Sequence, residues 1–246
     1  MNRYLADLHI HTAMSPCASP EMTPPAIVRS AIEAGLTMIA ICDHNAAANG
    51  RPTQLAAAER TGLAVLCGME ITTAEEAHVL GLFPDADAAE AAQREVQASL
   101  PDRPAGDESF GQQWSMDESG NVLAKEGKML SAATKLTLEQ TVELVHRLAG
   151  LAIASHVDRP VFSVISQLGM IPASAGLDAV EVSGVHAHDD RAKKIDAIGL
   201  PAITSSDSHF LSDVGFARTE LWMEQPTLAE LRLALAGAGG RRWARA

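Results

Sequence analysis

Residues 4–12 read YLADLHIHT. The segment Tyr4–His9 has the apolar content of a buried strand, and His9 and His11 lie two positions apart at its end. Side chains alternate along a strand, so both imidazoles project to the same side. The C-terminal end of a strand is where α/β barrels build their active sites. A lone His-x-His pair is a weak signal, and its meaning depends on what the rest of the chain brings to it.

Further strands follow outward from this one. MIAIC (38–42) is a continuous apolar run, as expected of a strand buried on both faces, and LAVLCGM (63–69) and HVLGLF (78–83) read the same way. LAIAS (151–155), DAVEVS (178–183) and PAITS (201–205) are further buried strands, and ARTELWM ends the series. Helices are expected between them. Thr23 and Pro24 mark a start, with Gly35 as the stop. An Ala-rich helix lies near 53–61, and 86–98 is helical in composition. Thr137 with Gln140, and Thr227 with Glu230, have capping-box spacing. Repeated strand–helix units imply an α/β fold of parallel strands, which seven or eight units can close into a barrel. The 246 residues are read as one domain, 1–246, with an irregular insertion at 99–136 that holds a hairpin with WSM as one arm.

Composition narrows the function. No run is long and apolar enough for a transmembrane helix, and the N-terminal segment lacks a secretory signal's apolar core. Cys17, Cys42 and Cys67 are odd in number and widely spaced, so a disulfide framework is not expected and a reducing cytoplasm is the default. The net charge is −12, and the one basic cluster is Arg241, Arg242 and Arg245. Proteins that hold long nucleic acid normally show a basic face, so long nucleic acid is not expected as a partner. A small anionic substrate remains compatible if bound cations supply the positive charge.

Five more strand ends carry ligand-type groups. Asp43 and His44 end the second strand, Glu70 the third, His78 stands at the start of the fourth, and His156 follows the fifth. Asp207 and His209 follow the strand at 201–205 and repeat the spacing of His9 and His11, with Ser206 and Ser208 turned away. Any one of these alone reads as a hydrogen-bonded loop residue. Together, at one barrel edge, they read as a metal centre.

In this order, DLHIHT, ICDHN, GMEIT, HVLGLF, ASHVDR and SSDSH resemble the PHP (polymerase and histidinol phosphatase) family from about residue 5 to 216. The resemblance implies a distorted seven-stranded, TIM-like β/α barrel and a metal-dependent phosphoesterase with two to three divalent transition-metal ions (Zn, Mn or Fe). By position it implies a first metal on His9, His11, Glu70 and Asp207. Glu70 would bridge to a second metal, completed by His78 and His156. A third would use His44, His209 and the residue six places after His11, which here is Cys17, where the family usually has His or Asp. A thiolate there favours zinc or iron over magnesium or manganese; the bland alternative is a small thiol without a metal role.

The implied nucleophile is a hydroxide bridging two metals, held on Glu70 and Asp207, with Arg159 a candidate clamp on a phosphate oxygen. His186 and His188 form a second His-x-His at the same edge, as pocket-lining groups or solvated loop residues. Glu181 and Ser183 are weaker candidates of that kind. Asp7 is either a partner of a ligand histidine or structural, and His146 sits within a helix as a structural residue. The expected substrate is a small phosphorylated compound: a nucleotide, sugar phosphate or short oligonucleotide. One rival is a non-catalytic PHP-like binding or scaffold module, whose mark would be lost ligands. A second is an amidohydrolase-type metal hydrolase, which often needs a lysine at a middle strand end; Lys125, Lys128 and Lys135 lie in or near the insertion instead. The oligomeric state is left open.

Overall fold

A computed structural model describes residues 1–58, 62–105, 111–184, 195 and 198–245. Eleven strands are present among them: β1 (Asn2–Ile10), β2 (Met38–Ile41), β3 (Ala64–Thr72), β4 (His78–Phe83), β5 (Trp114–Met116), β6 (Val122–Lys125), β7 (Leu151–Ala154), β8 (Ala179–Ser183), β9 (Ala202–Ser205), β10 (Thr219–Met223) and β11 (Arg242–Arg245). Nine form one sheet in the order β11-β10-β1-β2-β3-β4-β7-β8-β9, and β5 with β6 forms the separate hairpin that has WSM as one arm.

The sheet curls until its ends meet. His11 N donates to Ser208 O (3.0 Å) and Ser208 N to His9 O (3.3 Å), joining β1 to the chain just beyond β9. Lower down, the Thr219 hydroxyl donates to Thr204 O (2.8 Å) and accepts from Thr204 N (2.9 Å). The result is a nearly closed, barrel-like mixed α/β fold.

Two features differ from the expected seven parallel strands. First, the strand count is nine, because β10 and β11 join the edge of β1 in antiparallel register, with Asn2 opposite Met223. That pairing spans nearly the whole chain and has no local sequence signal. Second, β4 is antiparallel to both β3 and β7. Only residues 73–77 separate β3 from β4, too few for the crossover a parallel pair needs. The reversal matters for the site: it brings the start of β4, and so His78, to the edge where the parallel strands end.

The barrel interior is packed by Ala6, Leu8, Met38, Ala40, Leu66, Leu80, Leu151, Ile153, Ala179 and Ile203. Its lower end is closed by Leu228, Leu231 and Leu235 of the last helix, α6. The α-helices among the described residues are α1 (Pro24–Glu33), α2 (Gly50–Ala58), α3 (Ala86–Ser99), α4 (Leu138–Arg147), α5 (Val164–Leu168) and α6 (Leu228–Leu235). The α3 and α4 side chains cover the outer faces of β3 and β4, and α1 covers Ile10, Ile39 and Ile41.

The caps follow the expected signals unevenly. Thr23 precedes Pro24 but its side chain makes no capping bond. Thr137 and Gln140 form both halves of a capping box. Thr227 accepts from Glu230 N, while the Glu230 carboxylate turns to Glu224 N and Arg241. Thr137→Ala should therefore lower stability by about 1 kcal/mol, readable in a urea melt; an unchanged midpoint would contradict it.

Candidate metal centre

The register of β1 on β2 shifts between Asp7 and Ile10. This places an extra residue in β1, a bulge of the kind often found beside active sites. Leu8 belongs to the barrel interior, yet Ile10, two residues on, packs under α1. Regular alternation therefore fails across the bulge, and Asp7 does not share the face of His9. Asp7 accepts instead from Ser206 N (3.0 Å), the Ser206 hydroxyl (2.6 Å) and Gly215 N (2.9 Å), which ties β1 to the loop carrying Asp207. Ser206 also contacts Ser208, so both serines turn away from the histidines, as the spacing suggested.

Glu70, at the C-terminal half of β3, is buried at the centre of the histidines. Its Oε1 lies 2.9 Å from His78 Nδ1, 3.1 Å from His156 Nε2 and 3.5 Å from His9 Nε2. Its Oε2 lies 3.1 Å from His44 Nδ1 and 3.4 Å from His11 Nε2. Asp207 Oδ1 is 3.1 Å from His11 Nε2 and 3.3 Å from His9 Nε2, and Asp207 Oδ2 accepts from Arg159 at 2.6 Å. Burial alone would push the Glu70 carboxyl up, but His78, His9 and His44 hold it well below the usual carboxylate range. Asp207 is likewise buried yet held low, first by His9 and then by His11. His156 and Asp207 both adopt left-handed backbone (φ 27° and 53°), a strained conformation often found at functional positions.

The hydrogen bonds fix which nitrogens are free. The Ser15 hydroxyl donates to Asp43 Oδ1 (2.7 Å), so it accepts from His11 Nδ1 at 2.9 Å and from His44 N at 3.1 Å. His11 thus carries its proton on Nδ1 and keeps a lone pair on Nε2. The Glu181 carboxylate accepts from His9 Nδ1 (3.0 Å), which leaves His9 Nε2 free as well. These two nitrogens face each other at 3.1 Å, placed to share a cation. His156 Nδ1 is buried without a hydrogen-bond partner, and the polar neighbour of His44 Nδ1 is Glu70 Oε2 at 3.1 Å. Three sets of donor atoms each converge within 4.8 Å: His9, His11, Glu70 and Asp207; His44, Glu70 and His78; and His11, His44 and His209. The residues present therefore fit a multinuclear metal centre.

His209 donates from Nδ1 to Asp207 O (2.8 Å), and its Nε2 faces Cys17 Sγ at 3.1 Å. Burial opposes ionisation of Cys17, but hydrogen bonds to His209 and His44 bring its thiol down to about 7. Cys42 and Cys67 are buried away from the centre, as core residues. His146 pairs with Asp178 at 2.8 Å on the outer surface, and Arg218 donates to Ala34 O (3.3 Å). His186 and His188 lie outside the described residues. Ser183 bonds Arg159 (3.3 Å) and Asp158 (3.0 Å), bracing the arginine. The sequence reading underrated Glu181 and Asp43. The available signal was a single carboxylate inside a buried apolar strand, AVEVS, and an aspartate joined directly to a ligand-type histidine.

A cavity of about 170 Å³ opens onto this cluster, lined by Arg159, Val161 and Phe162 beside the histidines and carboxylates. Phe162 stacks on His78 with ring centroids 5.0 Å apart and is 45% exposed.

A PHP-domain family model matches residues 7–194, and a PHP-associated model matches 187–237. The chain belongs to the PHP family. Its class of chemistry is that of the family, metal-dependent hydrolysis of phosphate esters. No curated protein sequence matches the chain. Among solved structures, the PHP chain is similar to the lesion-specific endonuclease PfuEndoQ from Pyrococcus furiosus, with 22% identity and a TM-score of 0.76 over 98% of this chain and 58% of that one. It is similar also to Endonuclease Q in complex with a 27-mer duplex bearing an abasic lesion at the active site (20% identity, TM-score 0.73, 98% and 58% covered). A third is described as a metal-dependent phosphoesterase from Bifidobacterium adolescentis (21% identity, TM-score 0.60, 83% and 87% covered). The chain thus spans little more than half the length of the endonucleases it matches.

The duplex complex overturns one expectation. Net charge had excluded long nucleic acid and left a small phosphorylated partner, yet a protein with this fold holds a 27-mer at its active site. Net charge is a sum over the whole surface and does not report the charge that a ligand meets locally at the barrel mouth.

Proposed function

We propose that this chain hydrolyses a phosphodiester within a nucleic-acid strand, using cations gathered on Glu70. The observation that carries the reading is the buried Glu70 carboxylate with imidazoles on both oxygens. His9, His11, Glu70 and Asp207 would hold one cation, and Glu70, His78 and His156 a second, with His44 beside the other Glu70 oxygen. When bound, such cations polarise the phosphoryl oxygen and activate water.

The chain's own residues do the rest. Glu181 and Ser15 keep His9 and His11 in the tautomers that present Nε2 inward. Arg159, braced by Asp207 and Ser183 and 39% exposed on its side chain, directs its remaining N–H groups toward a phosphate oxygen. The exposed ring of Phe162 beside the cavity suits the apolar face of a base or sugar. The likeness of fold to the two endonucleases supports the substrate class. Three free cysteines support a reducing, cytoplasmic setting, and no helix among the described residues is long and apolar enough to cross a membrane. Residues 1–246 are read as one barrel unit with 99–136 as an insertion.

The test is strand scission of labelled oligonucleotide duplexes, undamaged and abasic, with Zn²⁺ or Mn²⁺, against nitrophenyl phosphate. The expected result is duplex cleavage that stops on chelation; hydrolysis of the monoester alone would contradict the reading. Arg159→Ala should cut kcat/KM by about 100-fold, and Arg159→Lys should recover only part, because lysine lacks the planar fork. Full activity in Arg159→Ala would remove the clamp.

A further inference from the structure

The loop from His156 to Ser163 carries a histidine of the centre, a cation and an aromatic ring on one braced segment. His156 touches Glu70, Arg159 reaches Asp207, and Val161 and Phe162 stand 54% and 45% exposed beside the cavity. Arg159 N donates to His156 O (2.9 Å) and the Ser163 hydroxyl to Arg159 O (2.8 Å). Ser163 and Ser166 form a capping box that anchors the loop to α5. Phe162 has left-handed backbone (φ 56°), an outlier for a bulky side chain that persists only where the surroundings over-determine it. His78 N donates to Phe162 O (2.9 Å), and the Phe162 ring lies nearly parallel to the His78 ring, with 14° between the planes. One face of the ring is thus set against a histidine that touches Glu70, and the rest of it borders the open cavity. A phenylalanine that only fills space is normally buried. This one holds a costly conformation with nearly half of its surface open.

We propose that Phe162 is the platform on which the nucleobase next to the reacting phosphate stacks, so that the chain selects strands whose bases are unpaired at that point. The inference rests on the phosphodiester reading above and adds the state in which the strand is bound. Glu70, His78 and His156 line a cavity of only about 170 Å³, so a phosphate that reaches them brings its own nucleotide against Phe162. A base cannot lie on the Phe162 ring and between its helical neighbours at once. It has to leave the stack, and the cost of leaving is least for a mismatched or single-stranded nucleotide. An aromatic platform accepts every base, because each has a π-face. The selection is therefore for pairing state rather than for sequence.

The full chain, loaded with Zn²⁺ or Mn²⁺, would be assayed on labelled oligonucleotides of one sequence. These are a single strand, a paired duplex, a duplex mismatched at the mapped cleavage point, and a single strand lacking the base there. The expected kcat/KM is about tenfold or more higher for the single strand and the mismatch than for the paired duplex. Phe162→Gly accepts the left-handed backbone without strain. It should raise KM for the base-bearing single strand by about 10–100-fold with little change in kcat, and Phe162→Tyr should restore it. On the strand lacking the base, the loss caused by Phe162→Gly should largely disappear, the signature of a contact between ring and base. Equal losses on both strands, or loss of bound metal in Phe162→Gly, would overturn the inference and leave the ring as a buttress of His78. A paired duplex cut as fast as the mismatched one would overturn it as well. In each of these cases scission itself would leave the phosphodiester reading standing. A chain that cuts none of the oligonucleotides would overturn that reading and this inference with it.

Discussion

Glu70→Ala should abolish phosphodiester hydrolysis and strip the ions it gathers. Both Glu70 oxygens are engaged, Oε1 by His78 and His156 and Oε2 by His44. Removing the carboxylate leaves buried imidazoles with only Glu181 and Asp207 as neighbouring carboxylates. Metal-based charge stabilisation in a transition state amounts to several kcal/mol, so its loss corresponds to a fall in kcat of roughly 10³-fold or more. Glu70→Gln keeps the shape but not the charge and should fall nearly as far. Steady-state kinetics with metal analysis of the same samples checks both. A Glu70→Ala chain with normal turnover would remove Glu70 from the centre.

Asp43→Ala should produce the largest loss of stability, about 3 kcal/mol, since several donors are left unsatisfied in a buried site. Asp43 is fully buried and accepts from Thr12 N (2.7 Å), the Thr12 hydroxyl (2.8 Å) and the Ser15 hydroxyl (2.7 Å). These bonds fold the turn after β1. Through Ser15 they also set the proton on His11 Nδ1. The substitution should therefore weaken metal binding by about 10–100-fold as well, the usual effect of removing a group that orients a ligand. Urea denaturation of the chelated chain isolates the stability effect from metal linkage, and zinc titration gives the other. A variant as stable as wild type would show that the turn is held without Asp43.

How much of this was legible in the sequence differs from one residue to the next. His9 and His11 were readable because two residues on a strand share a face, and the bulge between Asp7 and Ile10 leaves that pair intact. It breaks the parity of Asp7 with His9, and no local pattern announces a bulge. His78 could be placed near a strand start, but its arrival at the ligand edge depends on β4 running backwards. The short link at residues 73–77 was the signal for that reversal. Glu181 was visible as a carboxylate in an apolar strand, yet its bond to His9 crosses most of the chain and exists only once the barrel curls. The pairing of β10 and β11 with β1 has the same cause: long-range register follows from closure, not from local periodicity. The exclusion of long nucleic acid failed because net charge averages over the whole surface and does not report the charge met locally at one mouth.

The most direct test of the central claim is the metal content of the full chain by elemental analysis, after equilibration with Zn²⁺ and removal of free ion. The account predicts about two to three ions per chain in the wild type, falling to at most one in Glu70→Ala. A wild-type chain that retains no metal would contradict it, because the convergence of His9, His11, His44, His78, His156 and Asp207 on Glu70 would then hold nothing.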